Sequence, residues 1–424
     1  MTGARRGYVL ALICFSFFLN YADRQILGAL IEPVKQEFGL SDLELGLMTG
    51  LGFGVFYSVC SLPLARLADR WNRRNVLLIC LALWSGATML SGAVVTSAQL
   101  VAARLVVGIG EAGGGPSSIA MISDLFSARR RGTAIACYNA AGALGGAFAL
   151  AAGAWIATHY GWRIAFIIIG LPGVFLALLI VLTVAEPERA GGARVQATFR
   201  ETMAQILGQR VLVLAMLGGA ASSAAITCLS WITPFFQRSH GLSLVDAGSM
   251  VGLAILFMAP LGQFLGGFIS DRYGVRSRSA MMGILAVINL LAAGSASAMV
   301  LASSTTAAIV AFYIWISLAQ SYPPPVFALS QSLVPAHMRA TSQAVVGMAF
   351  NLVGSGVGPT ATGALSSMLE HSYGQESLRY ALLVVCCTMS VLAAMFYFAA
   401  ARAAAGAARS RIGEETSIVQ QEGI

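Results

Sequence analysis

Four ionisable side chains lie inside stretches of the chain that are otherwise almost entirely apolar. Asp23 and Arg24 are adjacent, and Arg104 and Glu111 stand seven residues apart in a later apolar stretch. On insertion scales a charge at the bilayer centre costs roughly 2.5 to 3.5 kcal/mol, so such residues persist where they pair, face water or perform chemistry. Two carboxyl groups in one dry environment can exchange a proton. We therefore expect Asp23 and Glu111 to do so, with Arg104 setting which of them holds it.

The spacing of these residues limits how they can meet. Arg104 and Glu111 share nearly one helix face but are separated by about 10 Å of rise, too far to pair directly. Each can instead reach across to the helix that carries Asp23. Asp23 beside a cation should stay ionised, whereas Glu111, among glycine and apolar residues, is the better candidate to hold a proton near neutral pH. Arg24 points to another side of its helix, and we interpret it as a packing or cavity-mouth residue.

The composition indicates a membrane protein. Of 424 residues, 57% are apolar and 10% are charged, with a mean hydropathy of +0.77. Soluble domains carry about 25% charged residues. These values exclude an ordinary cytosolic enzyme, a disordered chain and a collagen-like repeat.

Motifs for catalysis or metal binding are missing from the sequence. The seven Cys lie in apolar stretches without a C-x-x-C pair, and the four His lie near predicted loops. No H-E-x-x-H, G-x-S-x-G or G-x-x-x-x-G-K-[ST] occurs. We therefore expect no enzyme activity, no cofactor, no metal site and no ATP-driven pump in this chain.

Twelve apolar windows have the length of about 20 residues that a membrane helix needs. They are 7–34, 43–65, 76–97, 99–122, 132–157, 162–184, 211–236, 245–269, 280–301, 306–331, 341–368 and 380–402. With the N-terminus inside, twenty Lys and Arg fall in inner segments and four in outer ones. The positive-inside rule then places both termini in the cytoplasm. The net charge of +8 thus reflects topology and gives no reason to expect nucleic acid.

The chain repeats itself. At a shift of 202, Gly39-Leu40-Ser41 matches Gly241-Leu242-Ser243, Gly46 matches Gly248, and Asp69-Arg70 matches Asp271-Arg272; at 208, Arg131 matches Arg339. Two like halves are typical of a duplicated transporter. We predict an all-α membrane protein with twelve transmembrane helices in two pseudo-symmetric six-helix bundles. The expected parts are 1–184 (first bundle), 185–210 (cytoplasmic linker), 211–402 (second bundle) and 403–424 (cytoplasmic tail).

The repeat also bears on the charges. Asp23 corresponds to Ala225, Arg104 to Phe312 and Glu111 to Ala319, so the architecture does not require these charges.

Within the linker, residues 198–209 could form a short amphipathic helix on the inner leaflet.

Helix-breaking residues occur at corresponding places in spans 4 and 10. They are the glycines and proline of 108–116 and the segment Gln320–Pro325. Irregular backbone survives in lipid only where it faces protein or a water-filled cavity, so paired breaks point to a substrate cavity. The candidate substrate-binding residues are Asn20, Tyr21, Arg104, Glu111, Trp231, Gln320 and Tyr322. An aromatic side opposite a charged side would suit an amphipathic compound.

Charged residues at the inner helix ends are candidates for a gate. Asp69 at a helix C-terminus opposes the helix dipole unless a cation or another helix N-terminus meets it. The same reasoning suggests a bridge between Asp124 and Arg131, whose second-half equivalents are Ser332 and Arg339. The predicted gating residues are Asp69, Arg70, Arg73, Arg74, Asp124, Arg131, Asp271, Arg272, Arg276 and Arg339.

The loops after spans 2 and 8 resemble the signature of the major facilitator superfamily, roughly G-x-L-a-D-R-x-G-R-R. Residues 65–74 (ARLADRWNRR) and 267–276 (GFISDRYGVR) carry the match. In the first half, 20–24 (NYADR), 38–42 (FGLSD), 107–112 (VGIGEA) and 160–163 (YGWR) resemble its spinster branch. The resemblance implies alternating-access export or flipping of lysolipids and sphingoid phosphates. It also implies functional roles for Asp23, Arg104 and Glu111.

The interpretation that follows is a proton-coupled secondary transporter of an amphipathic, lipid-like substrate. The alternatives are a proton-driven exporter of drugs or small organic anions, and a passive lipid scramblase or channel of the same fold. We expect a multi-pass protein of a bacterial inner membrane, in contact with membrane lipids, acting as a monomer on substrate and protons.

Overall fold

The computed structural model describes residues 3–186, 199–274 and 276–422, and all regular secondary structure within these ranges is helical. The helices are α1 Gly3–Ala29, α2 Ile31–Phe38, α3 Asp42–Thr49, α4 Leu51–Arg70, α5 Arg73–Ser91, α6 Ser97–Leu125, α7 Ala128–Tyr160, α8 Trp162–Thr183, α9 Phe199–Leu207, α10 Arg210–Thr227, α11 Ile232–His240, α12 Leu244–Leu253, α13 Ala259–Tyr273, α14 Arg278–Leu301, α15 Thr305–Ala319, α16 Pro323–Leu333, α17 Arg339–Tyr373 and α18 Ser377–Glu422.

All twelve predicted spans fall on these helices. In the described chain, ten helical stretches are long and apolar enough to cross a membrane. The stretch Thr341–Ala407 holds spans 11 and 12 together, and span 10 is divided between α15 and α16. The predicted all-α membrane fold is therefore confirmed.

The turn that precedes α3 is built again before α12. Gly39 and Gly241 both adopt a positive φ, 61° and 65°, which ends the preceding helix at no steric cost to a residue without Cβ. Two residues later, the hydroxyl groups of Ser41 and Ser243 cap α3 and α12 by accepting the N–H of Glu44 and Asp246. The matched Gly-Leu-Ser segments are thus a helix stop followed by a helix start.

Several spans are irregular at their middle. A 3₁₀ turn at Cys228–Trp231 joins α10 to α11, and a π-helical turn at Ala254–Met258 joins α12 to α13. Span 2 bends at Gly50, between α3 and α4. In span 10 the prolines 323–325 carry no backbone N–H, so the next turn cannot donate to the carbonyls of 319–321, and the helix restarts as α16.

Backbone packing groups the chain into two compact units. The first comprises Met1–Arg194, Thr227–Phe257 and Ser355–Leu382, and the second Val195–Ile226, Met258–Gly354 and Leu383–Ile424. The core of the first unit includes Trp84, Leu81 and Tyr138. The predicted boundaries at 184 and 211 stay a prediction, and residues 187–198 of the expected linker lie outside the described part.

The helix expected within the linker exists as α9, but its apolar face packs on protein. Ile206 is fully buried and packs in a cluster with Leu212, Val334 and Val345 of the second unit. Burial of this face against α10 and α17 stabilises α9 without a lipid surface. Farther on, α18 continues as a helix through Glu422, beyond the predicted end of span 12.

Candidate functional site

Asp23 is held by three contacts from two neighbouring helices. Arg104 of α6 places Nη1 3.3 Å from Asp23 Oδ1, and its Nη2 donates to the Asp23 main-chain carbonyl at 3.3 Å. The Thr88 hydroxyl of α5 donates to the same Oδ1. All three residues are buried. This carboxylate is therefore paired with a cation and hydrogen-bonded, the condition under which a buried charge is tolerated.

Glu111 is paired differently. Arg24 Nε donates to Glu111 Oε2 at 2.5 Å, and the Glu111 side chain is fully buried. Its second oxygen, Oε1, is buried without a hydrogen-bond partner in the described part of the chain. An orphaned buried acceptor is costly, and a proton on the carboxyl group would remove its charge.

The two ion pairs run between the same two helices. Asp23 and Arg24 are neighbours on α1, yet they bind residues two turns apart on α6. Successive helical residues project about 100° apart, so the two side chains leave α1 in different directions. Together they form a quartet of two acids and two bases, Asp23, Arg24, Arg104 and Glu111, which we call the charge quartet; Arg24 is half-buried and the other three are buried. The interpretation of Arg24 as a packing or mouth residue missed this ion pair with Glu111.

Aromatic rings surround Arg24. Its guanidinium carbon lies 4.6 Å from the Tyr57 ring centroid, 5.0 Å from Phe53 and 5.7 Å from Tyr21. Such contacts favour a cation most strongly where water is excluded. The bond to Glu111 uses Nε and neither Nη group, and 21% of the Arg24 side chain is accessible. Arg24 can therefore offer its guanidinium fork to an oxoanion.

Tyr21 and the buried Asn20 also lie in the first unit. The Phe17 ring stacks on Tyr138 at 3.9 Å and meets Tyr21 edge-on at 4.9 Å. Asn20 and Tyr21 were predicted from the sequence, whereas Phe53, Tyr57 and Tyr138 were not. The only signal was the spacing of four that puts Phe53 and Tyr57 on one face of α4.

The other substrate candidates lie elsewhere. Trp231 belongs to the first unit, is fully buried, and donates from Nε1 to the Pro359 carbonyl at 3.0 Å, which is a packing arrangement. Tyr322 and Gln320 belong to the second unit. Tyr322 is buried with its ring edge-on to Phe350 at 5.2 Å, and Gln320 is half-buried after the end of α15.

The expected break in span 4 is absent, because α6 runs unbroken through Pro116. Its glycines serve close packing instead. A Cβ at Gly110 would lie 2.8 Å from the Trp84 main-chain nitrogen, and one at Gly114 would lie 2.9 Å from the Trp84 ring. The glycine run thus lets α5 approach α6, which brings Thr88 and Arg104 to Asp23.

We expect Gly110→Ala to destabilise the protein by about 1 to 3 kcal/mol, because its methyl group must displace the α5 backbone. The matched control is Gly115→Ala, whose Cβ would meet nothing within 4 Å. Thermal unfolding in detergent should show a lower midpoint for Gly110→Ala and an unchanged or slightly higher one for Gly115→Ala. Equal midpoints for the two variants would contradict this role of Gly110.

The predicted gating residues of the first unit form a network that differs from the expected one. Arg73 pairs with Asp124, whereas Arg131 Nη2 donates to the Ser123 carbonyl at 2.9 Å. Glu186 accepts the N–H groups of Arg73 and Arg74 at 2.9 and 2.8 Å and so caps α5. Among the contacts of the described residues, Asp124 pairs with Arg73 and Arg131 binds the Ser123 carbonyl, where the sequence had suggested an Asp124–Arg131 bridge.

The remaining gating candidates are mostly exposed. Arg70 is exposed at the end of α4, and the Asp69 side chain lies outside the described part. In the second half Asp271, Arg272 and Arg276 are exposed. Arg339 Nε donates to the Gln331 carbonyl at 3.1 Å.

Comparison with known proteins agrees with this architecture. The profile described as Major Facilitator Superfamily matches residues 13–359. The chain belongs to the major facilitator superfamily. It is a multi-pass membrane protein of a family of transporters, and the matched region contains the entire charge quartet.

Individual relatives are transport proteins. An "MFS-type efflux pump" of Mycolicibacterium smegmatis is 32% identical over 398 residues, covering 92% of this chain and 91% of the pump. A "Probable L-galactonate transporter" of Escherichia coli is 30% identical over 278 residues, covering 62% of this chain and 61% of that protein.

A solved structure of a spinster homologue is also similar. It is a crystal structure of a bacterial homolog to the human lysosomal transporter Spinster, in an inward-facing and unoccupied conformation. The TM-score is 0.87 at 27% identity, covering 96% of this chain and 99% of that one. The resemblance to the spinster branch of the major facilitator superfamily is therefore confirmed.

Proposed function

We propose that this chain is a proton-coupled secondary transporter that works by alternating access, with Glu111 as its proton site. The observation that carries the proposal is a fully buried carboxyl group whose Oε1 has no hydrogen-bond partner among the described residues. Asp23 differs, since Thr88 and Arg104 both contact its Oδ1. Protonation would break an ion pair at either residue, with Arg24 at Glu111 and with Arg104 at Asp23. At Glu111 it also neutralises a carboxylate whose Oε1 has no hydrogen-bond partner among the described residues, whereas the Thr88 hydroxyl bond favours the charged form of Asp23.

The charge quartet also relates the proton to the charge of the substrate. With all four groups ionised its net charge is zero, and a proton on Glu111 makes it +1. In a medium of low dielectric constant this excess strongly favours an anion nearby. Arg24, released from Glu111, has a guanidinium fork to bind a phosphate or carboxylate. Proton and anion then bind together, and each raises the affinity for the other.

The same site limits the substrate class. The rings of Tyr21, Phe53 and Tyr57 line the Arg24 guanidinium, so an apolar group can rest beside the anionic one. We propose an amphipathic anion such as a lysophospholipid or a sphingoid phosphate. The likeness to a probable L-galactonate transporter supports a small organic anion as the alternative of the same charge.

A second candidate function is proton-driven export, favoured by the likeness to an MFS-type efflux pump. A cationic substrate would compete with the proton for Glu111, because both neutralise the same carboxylate. Such competition produces exchange of substrate for protons. The charge of the substrate therefore decides between joint movement with the proton and exchange. In either case the chain acts as a monomer in a bacterial inner membrane, with both termini in the cytoplasm.

Purified protein in liposomes with an imposed pH gradient tests the proposal. The probes are lysophosphatidylglycerol, sphingosine phosphate, L-galactonate and the cation ethidium. We expect one anionic probe to accumulate above its external concentration when the outside is acidic, and a protonophore to abolish the accumulation. Mere equalisation of concentrations would indicate a passive path. Accumulation of ethidium with the opposite gradient would favour export by exchange.

A further inference from the structure

A groove runs between α1 and α8 on the surface of the first unit. It has a volume of about 510 Å³, and its lining includes Leu12 and Phe15 of α1 and Ile168, Phe175 and Leu179 of α8. All of the side chains that line it are apolar. Phe15, Ile168 and Phe175 are exposed, so the groove is open along its length. Because both helices are predicted spans, we expect this surface to face lipid.

The length of this α1–α8 groove fits one leaflet of a bilayer. From Ile168 to Leu179, α8 rises by about 16 Å at 1.5 Å per residue. The hydrocarbon of one leaflet is about 15 Å deep, half of the 30 Å of the bilayer core. Pro172 lies within this stretch of α8 and lines the groove. A proline inside a helix removes a backbone bond and favours a bend, which separates α8 from its neighbour.

Two hydroxyl groups stand at one end of the groove, one helical turn beyond its apolar lining. The Tyr8 hydroxyl of α1 lies 2.9 Å from Thr183 Oγ1 of α8, and both side chains are exposed. Tyrosine is enriched at membrane–water interfaces, where its ring lies in the apolar region and its hydroxyl at the level of the headgroups. This pair therefore indicates where the hydrocarbon ends.

Positive charge lies just beyond the hydroxyl pair. Arg5 stands three residues before Tyr8, on the same face of α1, and Arg6 follows it. Both arginines are exposed, and neither forms an ion pair or hydrogen bond with a described residue. The acid that follows Thr183, Glu186, is already bonded to the first N–H groups of α5. The charge at this end of the groove is therefore available to an anion.

We propose that the α1–α8 groove binds one anionic phospholipid, with an acyl chain along the groove and the phosphate beside Arg5 and the hydroxyl pair. Burial of apolar surface retains the chain, and the arginine favours an anionic headgroup over a zwitterionic one. The bound lipid ties α1, the helix of Asp23 and Arg24, to α8. The inference depends neither on the proton site nor on the transported substrate, so its test measures binding alone.

Photo-labelling locates the lipid. The full-length protein in mild detergent is incubated with phosphatidylglycerol that carries a diazirine in one acyl chain, and the labelled residues are found by mass spectrometry. We expect label on residues 168–179 of α8. Unlabelled phosphatidylglycerol should displace it at a concentration about fivefold lower than phosphatidylcholine requires, the factor that one favourable charge near a membrane surface provides. Label confined to other helices, or equal displacement by the two lipids, would overturn the proposal.

Two variants test the headgroup and the acyl chain separately. Arg5→Gln should abolish the preference for phosphatidylglycerol, whereas Arg66→Gln, which removes the same charge from an exposed position of α4, should keep it. Leu179→Trp leaves every charge in place but fills the groove, so labelling of α8 should fall at least about tenfold. Leu290→Trp, at an exposed position of α14, should label as the parent does.

Thermal unfolding of each variant, measured without added lipid, keeps the test decisive. A variant that unfolds at the temperature of the parent reports on occupancy of the groove. Full preference for phosphatidylglycerol in folded Arg5→Gln, or parent-level labelling of folded Leu179→Trp, would contradict the site.

Discussion

Glu111→Gln should reduce pH-gradient-driven accumulation to the level of protein-free vesicles while leaving exchange of substrate at equal pH in place. Glutamine has nearly the volume of a protonated glutamate but cannot release a proton. The variant should therefore hold the site in its proton-bound state, which moves substrate in both directions without coupling. Paired assays in one liposome preparation, with and without a gradient, measure the two activities.

The matched control for this variant is Glu370→Gln, at an exposed position of α17 outside the charge quartet. It should accumulate substrate as the parent protein does. Full gradient-driven accumulation by Glu111→Gln would remove Glu111 as the proton site. The coupling would then have to be sought at another carboxyl group, first at Asp23.

Arg104→Met should destabilise the protein by about 3 to 5 kcal/mol. It removes the cation that faces Asp23 and leaves a carboxylate buried with the Thr88 hydroxyl. Chemical unfolding in a mild detergent measures the change. The control Arg66→Met, at an exposed position of α4, should fall within about 0.5 kcal/mol of the parent.

The double variant Asp23→Asn with Arg104→Met separates two causes of instability. If the lone charge is responsible, removing both charges should recover most of the lost free energy, since buried pairs exchange for neutral groups at little cost. If the double variant is as unstable as Arg104→Met alone, the loss comes from packing around the guanidinium, and the ion pair contributes little.

The fold could be predicted because its cause is local. Each span is a mostly apolar stretch, and a single segment in lipid can satisfy all of its own backbone hydrogen bonds as a helix. The pairing of Arg104 with a residue of α1 could also be predicted. Arg104 and Glu111 lie two turns apart on one helix and cannot reach each other, so Arg104 needs a partner on another helix. The partner of Arg24 did not follow, because adjacent residues point apart and the sequence does not show which neighbouring helix receives each side chain.

Two further errors have the same origin. The glycine run of α6 was expected to break the helix, but glycine spacing does not distinguish a break from a close contact such as Gly110 with Trp84. Asp42 follows the capping Ser41 and so resembles an ordinary acidic first-turn residue. Its main partner, Arg238, is 196 residues away, and no local pattern joins residues at that separation.

The charge quartet has a consequence for the biogenesis of the protein. The two members of the charge quartet on α1 are of opposite sign, and the same holds for the two members on α6. These groups therefore add no net charge to either helix when it enters the bilayer. The membrane voltage does no net work on two opposite charges that move together. The helices can be inserted one after another during synthesis. The ion pairs between them, Asp23 with Arg104 and Arg24 with Glu111, form only when α1 and α6 come together.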